Sequence, residues 1–301
     1  MSEYTGSVSR LVLGTAQLGM PYGIANKIGK PDYASALSLV RTAWENGITE
    51  FDTAQVYGEG EQVLGRIFEE LGVSSKAKVT TKLKLEQNSD KEALARRVQE
   101  SLERLGVRKL ECLLLHHEDM LDLLNDAVKE TLQMLIQKGH VRHLGVSLYS
   151  PKRAKQALDS NLFHVMQLPA SVLDRRFHRA GIFENAQEHG CCIYIRSVFL
   201  QGLLLMKMEE IPGKMAPVKP ALAVLDRLAS RDGLDRRAVA LLYVRDKYPN
   251  AKVIFGAEAP EQVLQNIKCW RLKTPKRIFP ELDNSLPGLG ENILNPAKWR
   301  N

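Results

Sequence analysis

The stretch GITEFDTAQVYGEGEQVLGRIFEELGVSSKAKVTTKL, residues 47–83, decides the fold. It opens on GITEFD, a short apolar run behind a glycine, which reads as a strand. EGEQVLGRIFEEL follows, with Val63, Leu64, Ile67, Phe68 and Leu71 at helical spacing. AKVTTKL then reads as a second strand. A strand, a loop, a helix and another strand make a βαβ unit, which calls for a parallel sheet with helices outside it.

The same alternation extends in both directions. RLVLG (10–14) is a short strand, and the next helix starts at a plausible N-cap, Asp32, and stops at Gly47. Ser89 and Glu92 have capping-box spacing ahead of DKEALARRVQESLERLG. LECLLLH (110–116) is a strand, a helix spans 122–138 up to Gly139, and HVRHLGVS is a strand. Ser150 and Pro151 open a helix as N-cap and first residue. FHVMQLP, a helix over 179–189, and the strand CCIYIRS come next. A long segment (199–220), a helix over 235–246, the strand AKVIFGA and a helix opened by Pro260 complete the pattern. Eight strands place the chain in the α/β class as a (β/α)8 TIM barrel. A single domain over 1–301 is expected, with a long loop at 199–220 and a C-terminal tail from about 276. An open doubly wound sheet shares the alternation. However, no G-x-G-x-x-G follows the first strand, and Gly58, Gly60 and Gly65 do not have that spacing.

Composition narrows the class. With 301 residues and 44% hydrophobic side chains the chain has ample core. It has no apolar run of the roughly 18 residues a membrane span needs, and MSEYTGSVSR lacks a signal-like apolar region. A soluble, cytoplasmic protein with no membrane partner is expected. The net charge is +7, but the cations are dispersed, and the densest clusters (Arg175, Arg176, Arg179; Arg236, Arg237) are short. That distribution fits a solvated surface or a modest pull on anionic ligands better than a nucleic-acid groove. Cys112, Cys191, Cys192 and Cys269 show no metal spacing and read as buried free thiols.

Chemistry in such a barrel sits at the C-terminal ends of the strands. There the second strand ends in Asp52, with Tyr57 in the loop beyond it; the third ends at Lys82 and the fourth at His116. A phenol has a pKa of about 10, so a nearby ammonium is needed to draw it toward neutrality. Lys82 is the candidate, Asp52 its partner, and a neutral His116 can orient a carbonyl oxygen. That set protonates an oxygen gaining negative charge, as hydride delivery to a carbonyl requires. His116–His117–Glu118–Asp119 could also be read as a metal cluster, but neighbours on a strand point opposite ways, so no metal site is assigned. Met20 and Tyr22, after the first strand, are candidate substrate contacts.

FDTAQVYGEGEQVLG, TTKL and LLLHHED together resemble the aldo-keto reductase family. That resemblance implies a (β/α)8 barrel, an Asp–Tyr–Lys–His tetrad (Asp52, Tyr57, Lys82, His116) and a nicotinamide cofactor. LVLGTAQLG resembles the family's first strand and turn, which assigns Gly14, Thr15 and Ala16 to the cofactor alongside Asp52. HLGVS and VMQLP assign Ser147 and Gln167 to the carboxamide. VFLQGLL resembles the segment covering the pyrophosphate, with Ser197, Leu200, Gln201 and Gly202. IFGAEAPEQVLQNI resembles the adenosine end, with Gly256, Glu258, Gln262, Gln265 and Asn266. The position that is usually an aromatic ring under the nicotinamide is Arg196, and Leu148 stands where Asn is usual. Family habit implies NADP(H), whereas Glu258 and Gln262, standing where cations are usual, leave NAD(H) open. A small-molecule carbonyl or alcohol is the expected substrate, and no oligomeric state is implied. Two rival readings remain at this level: a non-catalytic cofactor-binding or redox-sensing protein, and a metal-dependent barrel hydrolase.

Overall fold

Strands buried on both faces divide their residues by parity, alternate ones pointing into a barrel and out toward its helices. A computed structural model of the chain, which describes residues 7–86 and 91–299, closes eight parallel strands into a barrel in chain order. These are β1 (Leu11–Gly14), β2 (Glu50–Asp52), β3 (Lys78–Leu83), β4 (Leu110–Leu115), β5 (Val141–Ser147), β6 (Val165–Pro169), β7 (Cys192–Arg196) and β8 (Lys252–Gly256). Leu13 lies opposite Phe51 of β2, and Leu11 lies opposite Val253 of β8, so β1 closes the ring.

Parity then does the sorting. Val12, Cys112, Leu114, Val165, Tyr194 and Ile254 cluster inside the barrel. Leu11, Leu13, Phe51, Leu113, Leu115, Ile193 and Ile195 join the larger core between strands and helices. One inward step beyond the interior cluster, the same parity brings His116, Gln167 and Arg196 to the C-terminal mouth. Lys82 and Gly145 both pair with Leu114, and Asp52 pairs with Thr80, so Lys82, Ser147 and Asp52 share that parity. The other end is plugged by matched charge. The Tyr194 hydroxyl and the Lys252 ammonium each donate to the Glu50 carboxylate at 2.5 Å.

Around the barrel run α1 (Tyr33–Glu45), α2 (Gly60–Glu70), α3 (Lys91–Leu105), α4 (Asp126–Gln137), α5 (Pro151–Asp159), α6 (Ile182–Glu188), α7 (Lys219–Arg231), α8 (Arg236–Lys247), α9 (Pro260–Trp270) and α10 (Ile278–Ser285). Asp32 caps α1 by accepting from the Ser35 N–H at 2.8 Å, and Ser150 caps α5, as their types predict. The Ser89–Glu92 capping box lies outside the described residues. Three expectations differ. The helix expected over 122–138 begins only at Asp126, because Asn125 accepts from the Val128 N–H and caps it there; a 3-10 turn, Glu118–Leu123, precedes it. The helix expected over 179–189 is broken at Gly181, whose φ of 71° ends a short turn before α6. Helix α7 went unread, because its residues follow directly on a segment rich in proline and methionine. The tail packs down: Trp299 is buried and its ring N–H donates to the Ile293 carbonyl.

Helix α2 touches α3 backbone to backbone at Gly65. A Cβ there would lie 2.1 Å from the Arg104 carbonyl oxygen. Gly65→Ala should therefore lower stability by about 3 kcal/mol. Urea denaturation measures this, and an unchanged midpoint would show that the helices do not meet at this point.

Candidate active site

The mouth is organised around two buried charges. Lys82 is 2% exposed, and its ammonium donates to Asp52 Oδ1 at 2.6 Å and to the Thr53 carbonyl at 2.7 Å. The second Asp52 oxygen accepts from Gln167 Nε2 at 2.6 Å. A buried pair of this kind holds only when its remaining donors and acceptors are satisfied, and here β2, β3 and β6 supply the partners.

Tyr57 is placed by backbone packing. The Thr15 hydroxyl donates to the Asp52 carbonyl at 2.9 Å, and the turn after β1 lies against the Tyr57 loop. A Cβ on Gly19 would sit 1.6 Å from the Tyr57 carbonyl oxygen. A Cβ on Gly58, at a φ of +54°, would sit 2.5 Å from the Gly19 carbonyl oxygen. These two glycines let the loops touch and fix where the phenol points. Its ring stands edge-on to His116, with centroids 5.9 Å apart, and the Lys82 ammonium lies 5.1 Å from its centre. Burial, and then the Asp52 charge, push the phenol well above the ordinary tyrosine range. The Lys82 ammonium, expected to draw the phenol down, is held here by Asp52 and the Thr53 carbonyl. His116 continues the strand ladder, donating its N–H to the Leu83 carbonyl, and its Nδ1 is buried without a partner. Burial, followed by the charges of Lys82 and Arg196, lowers its pKa to about 3, so the ring is neutral. His117 does not share this site. It packs on the Tyr149 ring at 5.2 Å, while Glu118 accepts from the Tyr149 and Ser150 N–H groups.

From Tyr57 a cleft of about 400 Å³ runs across the mouth. Gly14, Thr15, Ala16, Asp52, Gln167, Arg196, Ser197, Gln201, Gly202, Gly256, Glu258 and Gln262 line it, as does Tyr22. Ser147, Leu200 and Asn266 are buried behind it, and Gln265 faces solvent. Gln262 accepts from the Glu258 N–H at 2.9 Å. Residues 197–202 form a strap along one side. Ser197, Leu200 and Gln201 all have positive φ (61°, 49° and 53°), a backbone that such residues rarely adopt and that tends to mark functional segments. The loop after β1 meets the strap closely, and Lys27 pairs with Glu210 at 2.8 Å on the rim.

Arg237 is a cleft residue that the sequence reading did not find. It donates to Asn266 Oδ1 at 2.7 Å and lies over the Phe199 ring. In the sequence it stands beside Arg236 and reads as half of a surface cluster. On the helix the two diverge: Arg236 grips Asp226 and the Met206 carbonyl, while Arg237 turns inward. The Asp235 N-cap was the available signal, since it fixes the first turn of α8 next to the strap.

The Aldo/keto reductase family profile matches residues 10–286, nearly the whole chain. The chain belongs to the aldo/keto reductase family. It is 25% identical to the Aldo-keto reductase YhdN of Bacillus subtilis over 98% of both chains. It is 24% identical to the NADH-specific methylglyoxal reductase of Escherichia coli, covering 87% of this chain and 89% of that one. The glycerol dehydrogenase AKR11B4 of Gluconobacter oxydans shares the fold, with a TM-score of 0.73 at 24% identity over 98% of this chain and 97% of that one. As an aldo/keto reductase, the protein is an oxidoreductase that reduces small-molecule carbonyl groups with a nicotinamide cofactor. Among the described residues, no helix is long and apolar enough to cross a membrane.

Removing one member of a buried pair strands the other. Lys82→Met should cost about 3–5 kcal/mol, and adding Asp52→Asn should restore much of it. Thermal or urea unfolding of the two variants tests this; equal losses from both would show that the charges do not depend on each other.

Proposed function

We propose that this aldo/keto reductase is an NADP(H)-preferring reductase of small aldehydes and ketones, sugar carbonyls among them, in which Tyr57 is the proton donor. The observation that carries the reading is the meeting of Tyr57 and His116 edge to face beside the Asp52–Lys82 pair. His116, held neutral, donates to the substrate carbonyl oxygen and orients it without adding charge. Tyr57 then passes its proton to that oxygen as negative charge builds on it. A phenol raised above its ordinary pKa remains protonated at every working pH, with its proton available to an oxygen that is becoming an alkoxide. Asp52 and Lys82 act by holding the loop and the strand ends at fixed separations. Four unpaired cysteines suit a reducing, cytoplasmic setting.

The cleft suits a nicotinamide dinucleotide, which supplies hydride when bound. Gly14 and Gly256 pair across β1 and β8 and leave a floor free of side chains. A Cβ at Gly256 would lie 2.5 Å from the Gln17 amide. Gln167, with Ser147 behind it, would hold the carboxamide, and the strap at Ser197, Gln201 and Gly202, backed by Leu200, would cover the pyrophosphate. The adenosine end would lie at Glu258 and Gln262. Arg237, held in place by Asn266, would supply a cation there, where the positions after β8 and at the start of α9 offer Glu258 and Gln262. A fixed guanidinium near a ribose favours the 2′-phosphate of NADP(H).

Tyr57→Phe should cut turnover with a broad panel of aldehydes and ketoses by roughly 10²–10⁴ while cofactor still binds. Near-wild-type turnover would remove Tyr57 from this role. For the cofactor, Arg237→Gln should weaken NADPH about tenfold or more, the worth of one charge-assisted contact, and leave NADH within about twofold. Fluorescence titration distinguishes the two, and parallel losses would place Arg237 away from the ribose.

A further inference from the structure

Arg196 ends β7 at the cleft, and its neighbours decide which side of it a guest would meet. Its guanidinium rests over the Tyr149 ring, 4.1 Å from the centre, and Tyr149 in turn packs on His117 at 5.2 Å. Of these three residues Arg196 lines the cleft, and the other two stand behind it. The edges of the guanidinium are turned to protein. Nη2 donates to the Leu148 carbonyl at 2.9 Å, Nη1 donates to the Ser197 hydroxyl at 3.4 Å, and Nε is buried without a partner. What is left for the cleft is a flat, charged plane with an aromatic backing. Such a plane suits a flat ring better than a carboxylate, which seeks the in-plane N–H groups. Strand register says which ring. Gln167 lies opposite Tyr194, and Pro169 lies opposite Arg196. Arg196 thus stands one strand from Gln167 and two residues nearer the rim, and the next residue, Ser197, starts the strap. Gln167 also donates to Asp52, whose partner Lys82 lies 5.1 Å from the centre of the Tyr57 ring, so this is the Tyr57 end of the cleft. Between an amide that would hold the carboxamide and a strap that would cover the pyrophosphate, the group to be placed is the nicotinamide ring.

We propose that Arg196 is a charged platform for the nicotinamide ring and makes the cleft select the reduced cofactor over the oxidised one. The proposal rests on the dinucleotide reading of the cleft and adds to it a discrimination between redox states. The two states differ by one positive charge, and that charge is on the ring. In carbonyl reduction a hydrogen leaves the ring with its electron pair for the substrate carbon, the Tyr57 proton joins the substrate oxygen, and a neutral ring becomes a cation. A neutral ring can lie flat on a guanidinium without a charge penalty. A cationic ring there meets like charge, in a cleft where water screens only in part. The other charges do not make this distinction. Asp52 and Lys82 bring one charge of each sign, 2.6 Å apart. Lys27 is paired with Glu210 on the rim. Arg237 is a second cation in the cleft, but Asn266 holds it at the proposed adenosine end, where the oxidised and reduced cofactors carry the same groups. The selection has a direction. After reduction the spent cofactor leaves readily, whereas alcohol oxidation must start from the weaker of the two complexes.

Calorimetric titration of the purified protein with NADPH and with NADP⁺ reads this selection without turnover. The wild-type protein should bind the reduced form about tenfold or more tightly than the oxidised form, and NADH against NAD⁺ should give a similar ratio. Two variants separate charge from shape. Arg196→Phe keeps a flat face and removes the charge, so the ratio should collapse to within about twofold, chiefly through tighter binding of NADP⁺. Arg196→Lys keeps the charge and loses the plane, so both forms should weaken while the reduced form stays preferred. Arg237→Gln should move NADPH and NADP⁺ together and leave their ratio alone. Equal affinity of the wild-type protein for the two forms would overturn the proposal, and that measurement needs no variant to fold. An Arg196→Phe protein that unfolds like wild type and keeps the wild-type ratio would overturn it too. If neither form binds the wild-type protein, the dinucleotide reading falls and this proposal falls with it. The expected ratios in a protein that reduces no carbonyl would refute the reductase reading and leave Arg196 in its role.

Discussion

The contact between Lys82 and Asp52 is the constraint from which the rest of the mouth follows. Two opposite charges buried at the ends of neighbouring strands each lose several kcal/mol of hydration, which direct contact and further hydrogen bonds must offset. The Thr53 carbonyl and the Gln167 amide supply those bonds. The pair thereby ties β2, β3 and β6 together and fixes the start of the loop that carries Tyr57. The environment of the phenol is thus set by low polarity and by the Asp52 charge, not by the lysine alone.

That outcome favours one direction of chemistry. A phenol that stays protonated is ready to give its proton at any physiological pH, and a neutral imidazole beside it donates without competing for that proton. With Tyr57 as the proposed proton donor, reduction would use both groups as the folded state already holds them. Oxidation asks the phenol to ionise in a poorly hydrated site.

Much of this was legible in the sequence because it depends on period and order. The barrel follows from eight alternations, and Asp52, Lys82 and His116 follow from the ends of strands. The parity that fills the interior with Cys112 and Leu114 also turns His116 inward. Caps such as Asp32 and Ser150 could be read because their hydrogen bonds are local. What could not be read depends on contacts between distant segments. Whether Lys82 serves Asp52 or Tyr57 is a matter of a few ångströms. Arg237 looks like its neighbour until a helix rotates it by one residue. The Gly19–Gly58 contact joins two loops that nothing in either stretch announces. Asn125 shows a gentler failure, a local cap concealed in a run apolar enough to pass for helix.

The strap at 197–202 has a thermodynamic consequence. Its left-handed residues are held in shape by the fold itself, with Leu200 buried beneath them and Gly202 pressed against Ala25. A segment already ordered has little freedom left to lose when it closes on a guest, so more of the contact energy appears as affinity. The rim ion pair of Lys27 and Glu210 is solvent-exposed and therefore weak, a fastener that yields readily and more so as salt rises. If the strap covers the cofactor as proposed, its ordered shape would carry the grip and the exposed ion pair would add little to it.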